Sequence, residues 1–100
     1  MSKVKHIALF KFKEGISSEQ IDKLFEELMD VSENIEGVED YVSGANISPE
    51  GLNQGFTHGF VMTFKDVAAR DAYLPNAEHE RLKATLQPHV ESMAVVDFEI

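Results

Sequence analysis

The sequence predicts an α+β fold in which helices cover one face of an antiparallel sheet. Three observations predict it. Segments near both ends and in the middle of the chain alternate with a period of two residues, as strands do. A segment after the first of them instead has apolar residues at helical spacing behind a capping pattern, and Gly and Pro separate the segments. The element order is β-α-β-β-α-β, the split ferredoxin-like arrangement.

The segment Phe56–Phe64 is predicted to be a central strand. Its even-numbered residues are four apolar side chains and one imidazole, His58, and its odd-numbered residues are small or half-apolar. Because successive strand side chains point to opposite faces, we expect one face of this strand to be fully covered and the other at least partly.

The first strand and the first helix come earlier in the chain. Val4–Phe12 alternates with apolar residues on both faces, which predicts a second central strand. Ser17 and Gln20 fit a capping box at the start of a helix, and Gly37 is well placed to end it. Acidic residues occupy the predicted solvent side of this helix.

The remaining elements are bounded by caps and turns. They are an edge strand, a loop, a helical region in two pieces that each begin at a capping residue, and a last strand. Their predicted bounds are Val38–Ile47, 48–55, Asp66–Tyr73, Asn76–Gln87 and His89–Ile100. In the last strand, alternation puts Val90 on the same face as Ala94 and Val96.

The composition indicates one ordinary globular domain, which we expect to span residues 1–100. The chain is 43% hydrophobic, and no apolar run approaches the roughly 20 residues that cross a bilayer. The 18 acidic residues outnumber the 9 basic ones, and the formal charge of −9 disfavours nucleic acid and anionic lipid as partners. The N-terminus has no secretory apolar region, so we expect a cytoplasmic protein.

Several chemistries find no support in the sequence. The absence of cysteine excludes disulfides, thiolate catalysis and cysteine metal sites. The histidines form neither an HExxH motif nor a tight cluster with carboxylates, so no transition-metal site is predicted, although a cation near a dimer interface is left open. There is no phosphate-binding loop and no serine in a nucleophile elbow. No cofactor is expected.

The predicted sheet is apolar on both faces, yet the chain supplies helices for one. The side chains left facing water would be Ile7, Leu9, Val61, Ala94, Val96 and Phe98. Covering them is worth on the order of 10 kcal/mol gross. The same face of another copy is the simplest cover, so we expect a two-fold homodimer whose sheets form an eight-stranded barrel.

The chain resembles the stress-responsive alpha/beta barrel (Dabb) family over nearly its whole length. The order and spacing of several segments together carry the likeness: Val4–Ile7, Phe10–Lys13, Ser48–His58, Met62–Phe64, Tyr73–Pro75 with His79, and Val95–Phe98. The resemblance implies a dimeric ferredoxin-like barrel. The family includes stress-induced proteins and a plant cyclase that closes a linear polyketide by aldol condensation without a metal or cofactor.

Tyr73 and His79 are the candidate catalytic residues. His79 shares an inward stripe with Leu82 and Leu86, and Tyr73 ends the preceding helical piece. A histidine can take a proton alpha to a carbonyl while a phenol hydrogen-bonds the developing oxyanion. The resemblance implies the same pair, because the plant cyclase's functional tyrosine and histidine match these positions. The alternative is that both are packed core residues.

The space between sheet and helices is the predicted pocket. Its expected lining or supporting residues are His6, His58, Phe10, Phe25, Leu28, Phe60 and Leu82. His6 and His58 share the parity of the phenylalanines, so both should face the helices, but near opposite ends of their strands. Each is a pocket residue or a structural imidazole. Asn76 replaces the first histidine of a His-Pro-x-His segment frequent in the family, which implies a substrate other than the cyclase's.

Three functions are compatible with these residues. The first is a cofactor-independent lyase or cyclase acting on a small carbonyl or polyketide-like compound. The second is a non-catalytic stress protein or binding protein for a small apolar or aromatic ligand. A cofactorless monooxygenase is supported by fold analogy alone.

Overall fold

The computed structural model describes residues 2–100 and contains one four-stranded antiparallel sheet with helices packed on one face. The strands have the order β2-β3-β1-β4, so β1 and β3 are central and β2 is an edge strand, as predicted. The strands and α-helices in chain order are β1 (Val4–Phe12), α1 (Ser18–Asn34), β2 (Val38–Ala45), β3 (His58–Phe64), α2 (Val67–Tyr73), α3 (Ala77–Leu86) and β4 (Val90–Glu99). A short 3-10 helix, Gln87–His89, joins α3 to β4.

The helices begin where the capping residues predict. In the capping box before α1, the Ser17 hydroxyl accepts a hydrogen bond from the Gln20 amide, and the Gln20 side chain accepts one from the Ser17 amide. The Asp66 carboxylate accepts from the Ala69 amide at 2.8 Å at the start of α2. At the start of α3 the Asn76 side-chain oxygen accepts from the Glu78 amide at 2.8 Å. These side chains satisfy amides that have no partner within the helix, which confirms the predicted boundaries.

Two strand predictions were wrong in detail. β3 begins at His58 rather than at Phe56, because the Phe56 amide donates to the Asn53 carbonyl in a turn. In β4 the pairing register with β1 shifts by one residue, so that Val90 lies opposite Phe12. A strand irregularity of this kind reverses the facing of the residues beyond it. Val90 therefore faces the helices, away from the face of Ala94 and Val96.

The core lies between the sheet and the helices. On the sheet side, alternate residues of β1 are buried from Val4 to Phe10, as are Phe60, Met62 and Phe64 of β3, with Met62 and Phe64 fully enclosed. The helices contribute their apolar stripes, including Leu24 and Leu28 of α1 and Leu82 of α3. This alternation matches the sequence pattern, and it directs the side chains of His6 and Phe10 toward the helices.

The outer face of the sheet carries apolar side chains, as predicted. Ile7 pairs with Val61 on one side and with Val96 on the other, so these three form a row across the sheet. Val96 is 60% exposed and Phe98, on the same face, is 49% exposed. A contiguous apolar surface of this kind is typical of a protein–protein contact.

Gly37, in the turn that leads from α1 into β2, permits close packing against α2. Its φ is +93°, and a Cβ built there would lie 2.6 Å from the Ala69 Cβ. We expect Gly37→Ala to lower the free energy of unfolding by about 1–3 kcal/mol more than Gly15→Ala, because the added methyl overpacks the contact. Gly15 has a φ of +91° with nothing within 4 Å of a built Cβ, so it reports the backbone strain alone, about 1–2 kcal/mol. Urea unfolding of both variants measures the difference, and equal losses would contradict it.

Candidate active site

A cavity of about 220 Å³ lies between the inner face of the sheet and the helices. Its polar lining comes from His6, Tyr73, His79, Lys83 and Gln87. The predicted residues Phe10, Leu28, Phe60 and Leu82 form part of its apolar wall. The volume is smaller than that of most ligand pockets, roughly 300–1,000 Å³, so the cavity suits a small and largely apolar molecule.

The link between α2 and α3 brings Tyr73 and His79 together. Tyr73 is the last residue of α2 and is 1% exposed, while His79 lies in the first turn of α3. The chain turns between them at Leu74-Pro75, and the ring centroids of Tyr73 and His79 are 4.1 Å apart with the planes tilted by 37°. The structure therefore puts a phenol and an imidazole in contact at the cavity wall.

One hydrogen bond determines which nitrogen of His79 carries the proton. The Nδ1 atom lies 2.9 Å from the carbonyl oxygen of Leu74. Because a carbonyl oxygen can only accept, Nδ1 must be the donor, and the lone pair of the neutral ring lies on Nε2. Burial lowers the pKa of His79, outweighing the Leu74 hydrogen bond that raises it. The ring is therefore neutral at pH 7, with Nε2 able to accept a proton.

Tyr73 contributes the opposite function, a hydrogen-bond donor. Burial among aromatic rings raises the pKa of Tyr73 above its ordinary value, with a smaller contribution from Tyr41. The phenol therefore keeps its proton near neutrality and brings a neutral O–H to the cavity wall. A donor beside a base is the pairing that acid–base chemistry at a carbonyl requires.

His6 belongs to the same cavity and is held by residues that the sequence analysis did not single out. Its Nδ1 lies 2.6 Å from Oδ1 of Asp97, and Oδ2 of Asp97 accepts a hydrogen bond from Arg70 at 2.6 Å. Asp97 is directly opposite His6 in the β1–β4 pairing. One sequence signal could have identified Asp97. It follows Met93 and Val95 at every second position of β4, so it shares the face whose side chains line the cavity.

His58 and Phe25 do not line this cavity, contrary to expectation. The His58 ring stacks on Phe25 with centroids 5.8 Å apart and contacts Phe12 edge-on, and its Nδ1 is 2.8 Å from the Thr57 hydroxyl. Burial lowers the pKa of His58. In the strand pairing His58 lies opposite Phe10, while His6 lies further along, opposite Met62. The two histidines are thus at different ends of the sheet, as predicted, and only His6 reaches the cavity.

The described residues also bear on metal ligation and on membrane crossing. Among residues 2–100 there is no group of three or more histidine, cysteine, aspartate or glutamate side chains placed to hold a metal ion. In the same part of the chain, no helix combines the length and the apolar character that crossing a bilayer would need.

Comparison with known sequences decides the family. The sequence profile of the Stress responsive A/B Barrel Domain matches residues 4–100. The chain belongs to this family. A stress-response A/B barrel domain-containing protein of Arabidopsis thaliana is 30% identical over 96 residues, which cover 96% of this chain and 88% of that protein. Olivetolic acid cyclase of Cannabis sativa is 23% identical over 95 residues, covering 95% and 94% of the two chains.

Solved structures agree on the fold. The hydroxynitrile lyase of Passiflora edulis superposes with a TM-score of 0.90 at 23% identity, covering 98% of this chain and 93% of that one. A dimeric ferredoxin-like protein of unknown function from Jannaschia sp. gives a TM-score of 0.86 at 24% identity, covering 98% and 99%. The α+β ferredoxin-like fold of this stress-responsive barrel domain is thereby confirmed.

Proposed function

We propose that the protein is a cofactor-independent lyase or cyclase that acts on a small carbonyl compound, with His79 as the base and Tyr73 as the oxyanion partner. The observation that carries the proposal is the hydrogen bond from His79 Nδ1 to the Leu74 carbonyl, because it leaves a neutral, basic Nε2 beside a phenol at an apolar cavity. Two proteins similar to this chain, olivetolic acid cyclase and a hydroxynitrile lyase, support the same class of chemistry.

The proposed reaction begins with proton transfer to the histidine. In the cyclase form, Nε2 of His79 takes a proton from the carbon next to a carbonyl, and the electron pair moves onto the carbonyl oxygen. The resulting enolate accepts a hydrogen bond from the Tyr73 hydroxyl, which stabilises the charge in a site of low polarity. The enolate carbon attacks a second carbonyl in the same molecule, and the imidazolium returns its proton to the new alkoxide.

The lyase form uses the same groups on a hydroxynitrile. His79 takes the hydroxyl proton, the carbon–cyanide bond breaks as the carbonyl forms, and cyanide leaves with its electron pair and receives the proton from the imidazolium. In both forms the base must be neutral before the substrate binds. The lowered pKa of buried His79 supports that requirement.

We further propose that the protein is a homodimer joined through the outer face of its sheet. Half-exposed and exposed apolar side chains on that face, such as Val96 and Phe98, favour a second copy as cover. The dimeric state named for the Jannaschia protein supports this arrangement. Because the cavity lies on the opposite, helix-covered face, each subunit holds its own cavity. A cytoplasmic location stays a prediction from the sequence.

Turnover assays with two probe classes test the proposed activity. The purified protein is incubated with an aromatic hydroxynitrile, followed by aldehyde release, and with a linear polyketide thioester, followed by mass spectrometry of cyclised product. For the probe that reacts, we expect Tyr73→Phe to lower kcat/KM roughly 10²–10³-fold, because it removes one donor to the oxyanion.

Tyr41→Phe is the matched control. It removes a phenol whose hydroxyl is buried and lies outside the cavity lining. We therefore expect it to leave kcat/KM unchanged. Equal effects of the two substitutions, or no turnover of either probe class, would contradict the proposed activity.

A further inference from the structure

His6 is a buried imidazole at the centre of an aromatic cluster. It is 6% exposed and its ring centroid lies 5.8 Å from Phe60, 6.0 Å from Phe64 and 5.9 Å from Tyr73. Aromatic rings cannot satisfy two polar ring nitrogens, so the state of this imidazole depends on its polar partners. The partner of Nδ1 is the Asp97 carboxylate at 2.6 Å.

Asp97 in turn has both oxygens engaged. Oδ1 faces His6, and Oδ2 accepts a hydrogen bond from the Arg70 guanidinium at 2.6 Å. The Arg70 side chain is only 23% exposed and also donates through Nε to Asp71. Arg70, Asp97 and His6 thus form a hydrogen-bonded series whose members come from α2, β4 and β1, respectively. An ionised carboxylate accepts and cannot donate, so its contact with His6 requires a proton on Nδ1.

We propose that Arg70 and Asp97 are positioning residues that hold a proton on Nδ1 of His6, so that Nε2 of the neutral ring is a second proton acceptor in the cavity. Arg70 stabilises the ionised carboxylate and fixes its orientation through a charge-assisted hydrogen bond. Asp97 then fixes the imidazole. His6 and His79 become equivalent in one respect: in each ring Nδ1 is committed to a protein acceptor and Nε2 holds the lone pair.

The hydrogen bonds among Arg70, Asp97 and His6 predict which nitrogen of His6 carries the proton when Asp97 is replaced. A merely structural ion pair would make no such prediction. Arg70 has donors and no acceptor, so whatever group replaces the Asp97 carboxylate must turn an acceptor toward it. In Asp97→Asn the amide oxygen must therefore face Arg70, which turns the amide NH₂ group toward His6. An NH₂ group donates, so Nδ1 of His6 must accept, and the proton must move to Nε2.

Nitrogen NMR of the histidine rings in ligand-free protein measures directly which nitrogen of His6 carries the proton. At about pH 8, above the ordinary histidine pKa of about 6.5, we expect His6 to carry its proton on Nδ1 in the native protein and on Nε2 in Asp97→Asn. Adding Arg70→Met to Asp97→Asn removes the donor that orients the amide, so the fraction with the proton on Nδ1 should rise again. Asp71→Asn is the matched control, because Asp71 bonds Arg70 without touching His6, and it should leave the proton on Nδ1.

Two results would overturn the inference. One is a native His6 with its proton on Nε2, a measurement that needs no variant to fold. The other is an Asp97→Asn variant that keeps the proton on Nδ1 while Arg70 is intact. A role for His6 in turnover rests on the proposed lyase or cyclase activity, but the ring tautomer does not. Absence of turnover would contradict that activity and leave the tautomer result unaffected.

Discussion

Replacing Val96 with aspartate is expected to convert the protein from a dimer to a monomer. Val96 is 60% exposed on the outer face of the sheet and lies opposite Ile7 in the β1–β4 pairing. In a two-fold dimer the substitution buries two carboxylates, and each unpaired charge costs several kcal/mol. Taking about 2 kcal/mol per site as a minimum, the dissociation constant should rise roughly a thousandfold or more.

Sedimentation velocity over a series of concentrations measures this shift. Val67→Asp is the matched control, since it makes the same change at an exposed position on α2, away from the outer face of the sheet. It should remain dimeric. A native protein that sediments as a monomer, or a Val96→Asp variant that sediments as the native dimer, would contradict assembly through this face.

The second large effect is expected for His79→Gln. The glutamine amide can still donate to the Leu74 carbonyl, but it has no basic nitrogen to accept the substrate proton. We expect kcat/KM of the reacting probe to fall roughly 10²–10⁴-fold, the usual contribution of a general base. Thermal unfolding should change far less than turnover, because the side chain keeps its size and its hydrogen bond.

His58→Gln provides the control for this substitution. His58 is also partly buried with a lowered pKa, yet it stacks on Phe25 outside the cavity lining. Its replacement should leave kcat/KM within a few-fold of the native value. A His79→Gln variant that keeps native turnover would remove His79 from the proposed mechanism.

The pH dependence of turnover should report the burial of His79. Burial lowers the pKa of its imidazole below the ordinary value of about 6.5, so the neutral, basic form persists to lower pH than for an exposed histidine. As pH falls, the decline in kcat/KM should therefore have its midpoint below pH 6.5. A titration of the His79 ring by NMR in ligand-free protein checks the same pKa, and a midpoint at or above 6.5 would contradict the assignment.

Most of the fold was predictable because its signals are local. Ser17, Asp66 and Asn76 begin helices through hydrogen bonds to amides two or three residues away, and such contacts depend on near neighbours in the chain. Alternation in β1 and β3 predicted which residues face the helices. The prediction was wrong where the backbone departs from regular pairing, at the turn before His58 and at the register shift that turns Val90 inward.

The candidate site was predictable only in part. Tyr73 and His79 were identified from the inward stripe of α3 and from the family resemblance, and they are near each other in the chain. Arg70 and Asp97 are 27 residues apart, and His6 and Asp97 are 91 residues apart. Their contact depends on the strand register and on the packing of α2, which no local pattern encodes. The same limitation explains why His58 was expected to line the cavity.

The sequence by itself determined the α+β class, the order of the elements, and a sheet that is apolar on both faces. Periodicity and capping encode these features within short stretches of chain. Only the tertiary structure decided which imidazoles reach the cavity and which nitrogen of each carries the proton. The position of each proton depends on a single acceptor, the Leu74 carbonyl for His79 and the Asp97 carboxylate for His6. A hydrogen bond requires placement to within a few tenths of an ångström, and residue type and spacing do not specify positions that finely.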